Sequence, residues 1–267
     1  MNTSAQKWCA WGGVALAVTF VVGWAGIGGF VPPPSPNRSA AEITEFFVSH
    51  QTRIQIGLFL CLVGSGIYPF FTGAISAQLK RIEGQHTPLH YTQVVAGAGV
   101  ACGFTMGLMV WYTCSYRPEL DPIMTLRLND LAWFIWVGWA YLPAAQTIAV
   151  GIAILRDRRA DPVFPRWLGY CSLWCALLYL PGGLAVFFRS GPLAWNGLIT
   201  WWFLVIAYFI WVVAITYGLV WKAIPHQERE EAAATAQSVA PATSPLATPV
   251  TATAAATQSA TAGTEQP

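Results

Sequence analysis

The sequence predicts an all-α fold, a polytopic membrane protein built as a six-helix transmembrane bundle. Three observations carry that expectation. Of 267 residues, 55% are hydrophobic and only 10% are charged, where soluble domains carry roughly 25%. Six stretches are long enough to span the membrane, because crossing about 30 Å of hydrocarbon takes about 20 apolar helical residues. The 14 Trp suit helix ends at a headgroup layer, where an indole is half buried and half hydrogen-bonded.

The spans fall at about 8–31, 54–79, 91–115, 131–155, 167–188 and 193–224, and none of the 14 basic and 12 acidic residues lies inside their cores. The first apolar run exceeds the roughly 7–15 residues of a signal peptide's apolar h-region, so it reads as a retained span. Aromatic residues mark the expected edges: Trp8, Trp11, Trp111, Tyr112, Trp133, Trp136, Trp167, Trp195 and Trp221. Residues 1–231 therefore form the transmembrane domain. Residues 232–267, rich in Ala, Thr and Pro and without an aromatic residue, bury too little apolar surface to offset chain entropy and read as a disordered cytoplasmic tail.

Orientation follows from Lys and Arg counted by side. With the N-terminus inside, nine lie inside (Lys7, Lys80, Arg81, Arg156, Arg158, Arg159, Arg166, Lys222, Arg229) and five outside (Arg38, Arg53, Arg117, Arg127, Arg189). This predicts a multi-pass protein of the cell membrane with both termini cytoplasmic.

The longest outer loop starts with the stiff, extended run Pro32-Pro-Pro-Ser-Pro36. Ser39-Ala-Ala-Glu42 has capping-box spacing, and Ile43, Phe46 and Phe47 follow at helical spacing, which predicts a short amphipathic helix on the membrane or over the bundle mouth. Asn129-Asp130 reads as the N-cap of span 4.

Two features stand out within the spans. Gly99, Gly103 and Gly107 form a small-residue ridge, which lets helices approach closely where no hydrophobic force drives association. It predicts packing at the bundle centre, with homodimerisation as the alternative. Pro69, Pro143 and Pro181 interrupt spans 2, 4 and 5. Each removes a backbone donor and frees a carbonyl, and such breaks usually face protein or a wet cavity. With Tyr68, Gln146, Thr147 and Tyr179 nearby in sequence, they predict a shared mid-membrane pocket. Arg53, Arg127, Asp130, Arg189 and Asn196 form a candidate outer rim.

Several chemistries are disfavoured. All four His (His50, His86, His90, His226) lie in loops, which argues against membrane haem. His86 and His90 read as solvated, and Cys171 and Cys175, at i and i+4, as small buried hydrophobes. The expectation is no cofactor, no metal ligand and no catalytic residue. No span holds a carboxylate or Lys in its core, which argues against an ion-coupled pump. No nucleophile motif or phosphate loop is present, and the net charge of +2 does not suggest a nucleic-acid partner.

Phe164-Pro-Arg-Trp-Leu-Gly-Tyr170, Pro181-Gly-Gly183 and Ser190-Gly-Pro-Leu-Ala-Trp-Asn-Gly197, with Pro32-Pro-Pro-Ser-Pro36 and Gln78-Leu-Lys-Arg-Ile-Glu-Gly84, resemble a family of small six-span bacterial membrane proteins without assigned activity. The resemblance covers the spans and not the tail. It implies a bacterial cytoplasmic membrane and no biochemical role. The residues themselves lead to two expectations beyond contact with the lipid bilayer. The first is binding or facilitated passage of a small, mostly apolar molecule. The second is a non-catalytic subunit or assembly partner of a membrane complex, as a homo- or hetero-oligomer. An intramembrane enzyme ranks third, for want of catalytic groups.

Overall fold

The computed structural model describes residues 3–239. Among them the fold is all-α, without a strand, and six helices are long and apolar enough to cross a membrane. Span 1 is Thr3–Ile27, α-helical to Thr19 (α1) and π-helical over Phe20–Ile27. The short helix α2 is Ala40–Ser49. Span 2 is α3 (Gln51–Glu83) and span 3 is α4 (Pro88–Tyr116). Span 4 joins α5 (Pro122–Gly138) to α6 (Tyr141–Arg156). Span 5 is α7 (Arg166–Tyr179) tightened into a 3-10 segment over Leu180–Phe187. Span 6 starts as a π-helix at Leu198–Phe203, continues as α8 (Leu204–Gly218) and runs through a π-turn (Leu219–Ala223) into α9 (Ile224–Val239).

Each span packs on the next, and span 6 returns to span 1, closing the bundle. The tightest crossings are backbone on backbone. A Cβ added at Gly23 would stand 2.6 Å from the Gly57 carbonyl oxygen, and one at Gly151 would stand 3.0 Å from that of Gly169. Such contacts gather dispersion energy that a larger residue would forfeit.

The Gly99–Gly103–Gly107 ridge works differently from the expected helix-on-helix seam. A Cβ at Gly99 would meet the Leu142 side chain, one at Gly103 the Trp139 ring and one at Gly107 the Trp136 ring. The ridge is a slot for side chains of span 4, and Trp139 fixes the fit by donating from Nε1 to the Gly99 carbonyl at 2.8 Å. The packing is intramolecular, so this feature no longer speaks for a dimer.

Two boundaries move. Asn129 and Asp130 do not cap span 4, because the helix begins two turns earlier. Asp121 is the N-cap, its Oδ1 accepting from the Ile123 and Met124 amides at 3.0 Å each. At the other end, α9 carries helix through residues 232–239, which the sequence reading gave to the tail. Its Glu, Ala and Gln residues are good helix formers, and its first turns are anchored: Lys7 pairs with Glu228 at 2.8 Å and Arg81 with Glu230 at 2.6 Å. The rest of the expected tail lies outside the described residues. The anchors belong to a polar clasp on the face that carries the termini. There Gln78 Nε2 donates to Gln6 and Gln227, and Lys222 pairs with Asp161.

The capping box forms as expected: Ser39 Oγ accepts from the Glu42 amide while the Glu42 carboxylate accepts from the Ser39 amide. The helix it starts, α2, lies across the ends of spans 2, 3 and 4 on the opposite face, burying Ile43 and Phe47. The chain reaches it by turning at Gly29, where φ is +70°, a conformation glycine adopts without a Cβ penalty. Phe30 then folds back onto Trp24, with rings stacked 5.3 Å apart at 5°.

Candidate functional site

Indoles and phenyl rings converge below α2. Trp24 of span 1 is at the centre, with ring centroids 5.0 Å from Trp136, 5.1 Å from Trp201, 5.7 Å from Trp133 and 5.9 Å from Trp111. Phe30 links this group upward to Phe46 and Phe47 of α2. Phe20 and Phe104 extend it toward mid-membrane, where Phe104 meets Tyr208 edge-on at 5.6 Å. Edge-to-face and offset pairs of this kind contribute about 0.5–1.5 kcal/mol each beyond area burial.

Within the group is a cavity of about 230 Å³, bounded by spans 1, 3, 4 and 6. No charged side chain lines it among the described residues. Two of its walls, Phe20–Ile27 and Leu198–Phe203, are π-helical. Such turns are rare and are often found at functional sites. Val21 of span 1 lines the cavity although it is 54% exposed on the bundle's outer surface, and Val205 and Phe209 of span 6 line it half-buried. The cavity therefore opens sideways between spans 1 and 6.

The expected proline pocket is only partly present. Pro143 is buried and lines the cavity, whereas Pro69 is exposed on the outer surface of α3 and Pro181 is half-buried at the start of the 3-10 segment. The three breaks do not share a cavity, because local geometry meets part of the backbone need. The Trp139 carbonyl, four residues before Pro143, accepts from the Leu142 amide at 3.1 Å. Span 5 tightens after Pro181 instead of staying broken. Pro69 presents an apolar ring, which lipid accommodates as readily as a protein interior.

The polar residues expected beside the prolines are all fully buried. Tyr68 donates to Gln146 Oε1 at 2.6 Å, and Thr147 donates to the Ala144 carbonyl of its own helix at 3.0 Å. The Tyr179 hydroxyl has no hydrogen-bond partner among the described residues. Tyr208 lines the cavity, and its buried hydroxyl has no hydrogen-bond partner among the described residues. A polar file continues from Gln146 toward the termini face. A Cβ at Gly97 would stand 2.7 Å from Gln146 Nε2 and 2.8 Å from Thr72 Oγ1, and Gln93 Nε2 donates to the Thr72 carbonyl at 3.3 Å. His90, at its end, shares a hydrogen bond of 2.9 Å with Ser76 Oγ.

The candidate rim is looser. Arg53, Arg127 and Arg189 are exposed, and Asp130 and Asn196 are half-buried. Asp130 lies within electrostatic reach of Arg189, whose carbonyl accepts from Asn37 Nδ2 at 3.0 Å. Asn129, one residue before Asp130, accepts from Trp111 Nε1 at 3.2 Å and so ties this end of span 4 to the aromatic group.

Sequence reasoning missed the residues that make the cavity. It read Trp111, Trp133, Trp136 and Trp195 only as span-edge residues; the structure buries Trp111, Trp133 and Trp195 in the bundle and puts Trp136 on the cavity wall. Trp8, 79% exposed, and Trp167 and Trp221 fit an edge position. A signal was available: Phe20 with Trp24, Trp133 with Trp136, and Trp201 with Tyr208 are each spaced to share a helix face. Among the described residues no group of three or more His, Cys, Asp or Glu is placed to hold a metal ion. Compared with protein-family models, curated proteins and solved structures, the chain matches none.

Proposed function

We propose that this membrane protein binds, or lets pass, a small and mostly apolar molecule that enters from the bilayer. The observation that carries the reading is the laterally open, uncharged aromatic cavity of about 230 Å³. An apolar cavity of about 150 Å³ takes benzene, so this one suits a ligand of roughly two fused rings. The polar file below it and the rim above it leave the charge-free aromatic section as the section a neutral molecule would occupy. Native mass spectrometry of detergent-purified protein should show a retained lipophilic species at one per chain. Protein that emerges free of any small molecule, and that takes up none on exposure to lipid extract, would count against binding.

We place the protein in a bacterial cytoplasmic membrane, with both termini cytoplasmic, on the excess of Lys and Arg at the termini face and on the family resemblance. Single cysteines at His86 and Asp161 are then expected to resist an impermeant maleimide in intact cells, and those at Glu45 and Asp121 to react. Labelling at position 161 from outside would reverse the orientation.

A further inference from the structure

We infer that the cavity takes a neutral, lipid-soluble ligand with a flat, carbonyl-bearing head, the class of quinones and conjugated ketones. This rests on the binding function proposed above and adds the ligand's chemistry.

Polarity gives the first argument. Two indole nitrogens on residues that line the cavity, Trp24 Nε1 and Trp201 Nε1, are buried and have no hydrogen-bond partner among the described residues; that of Trp136, likewise unpartnered, lies against Gly107, outside the lining, where an added Cβ would collide with it. An indole N–H can only donate. Neighbouring rings offer their faces as weak acceptors, as where Trp133 meets Trp201 at 76°, but such contacts are second-order beside a carbonyl oxygen. Tyr208 carries the one side-chain oxygen of the lining, itself without a hydrogen-bond partner among the described residues, so a ligand that brings acceptors removes a standing cost. A hydrocarbon brings none.

Charge gives the second argument. No lining residue among those described is charged, so an ionised ligand would be left uncompensated in a medium of low dielectric. The ligand's acceptors are therefore neutral oxygens rather than carboxylate or phosphate.

Shape and electronics give the third. Indole faces are electron-rich, and five of the lining residues are tryptophans. Trp24 and Trp136 stack on each other at 21°, as do Phe20 and Trp136 at 26°, so a ligand ring would add to this stack rather than enter it. A flat, electron-poor ring stacks on such faces, and a conjugated dicarbonyl ring is flat, electron-poor and rich in acceptors. The lateral opening at Val21 leaves room for an aliphatic tail to remain in the bilayer. No redox step is implied: the ligand is bound, not transformed.

The test is calorimetric titration of full-length protein in detergent with menadione, a methylated naphthoquinone, and separately with methylnaphthalene, which has the same carbon skeleton without the carbonyls. Empty micelles supply the blank. Menadione is expected to bind at least about tenfold more tightly, the worth of roughly one satisfied buried donor. Trp24→Phe and Trp201→Phe keep an aromatic ring and remove the donor. One or both should lower menadione affinity about tenfold while leaving methylnaphthalene binding unchanged, which also shows that the variants are folded. Equal binding of the two compounds overturns the ligand class and leaves the apolar-cavity reading standing. So does menadione affinity that neither substitution changes. If neither compound binds, both readings fall.

Discussion

Gly57→Val should drive spans 1 and 2 apart and lower the stability of the bundle. Any Cβ at position 57 overlaps the Gly23 carbonyl oxygen and stands 2.9 Å from the Gly28 amide nitrogen. Both obstacles are backbone, so neither can swing aside as a side-chain tip would. Spans 1 and 2 would have to separate along the segment that positions Trp24, and lipid offers no hydrophobic force to hold them together. Overpacking costs about 1–3 kcal/mol and occasionally more; with rigid backbone on both sides the upper end applies. The expected result is a thermal midpoint in detergent lower by roughly 6–12 °C, taking about 2–4 °C per kcal/mol for a chain of this size. Gly66→Val is the control on the same helix, because a Cβ there meets nothing within 4 Å. Equal midpoints for the two variants would mean that the Gly23–Gly57 crossing is not a structural constraint.

Trp24→Ala comes next. Its ring touches Phe30, Trp111, Trp133, Trp136 and Trp201, so its removal both enlarges the cavity and strips the support beneath Phe30. Truncating a buried Trp to Ala costs about 3–5 kcal/mol. The loss should have a direction: α2, held through Phe30 by Phe46 and Phe47, should loosen before the spans do. Hydrogen exchange is then expected to rise first in residues 40–49, with the termini clasp unchanged. Trp8→Ala, on an exposed ring, should leave both stability and exchange at the wild-type level. Uniform loosening in Trp24→Ala would mean that the aromatic group does not hold α2 in place.

The fold was more legible than the site for a physical reason. A span announces itself through a sum over about 20 residues, and errors at single positions cancel. The aromatic cavity depends on which face of each span looks inward, and lipid is as apolar as a protein core. Phe20 and Trp24 share a face in sequence, but hydropathy cannot distinguish a face turned to lipid from one turned to the bundle. The belt rule read Trp133 and Trp136 as edge residues because they stand near the start of an apolar run, and said nothing of their turning into the bundle. The glycine ridge shows the same limit in milder form. The sequence predicts that residues 99, 103 and 107 face something close; whether that is another backbone or the Trp139 and Trp136 rings depends on a second helix. The prolines failed for a different reason. Each does free a carbonyl, but the nearest amide, Leu142 in the case of Pro143, can turn to meet it before a neighbouring span is needed.

On the binding function proposed above, entry between spans 1 and 6 changes which concentration governs occupancy. A ligand arriving through Val21, Val205 and Phe209 is drawn from the membrane, so its mole fraction among lipids matters and its aqueous level does not. Each added tail methylene contributes about 0.8 kcal/mol to partitioning, which multiplies the amount beside the opening about fourfold. Modest contacts inside the cavity then suffice for saturation, and two compounds with identical heads would compete according to tail length before either met an indole.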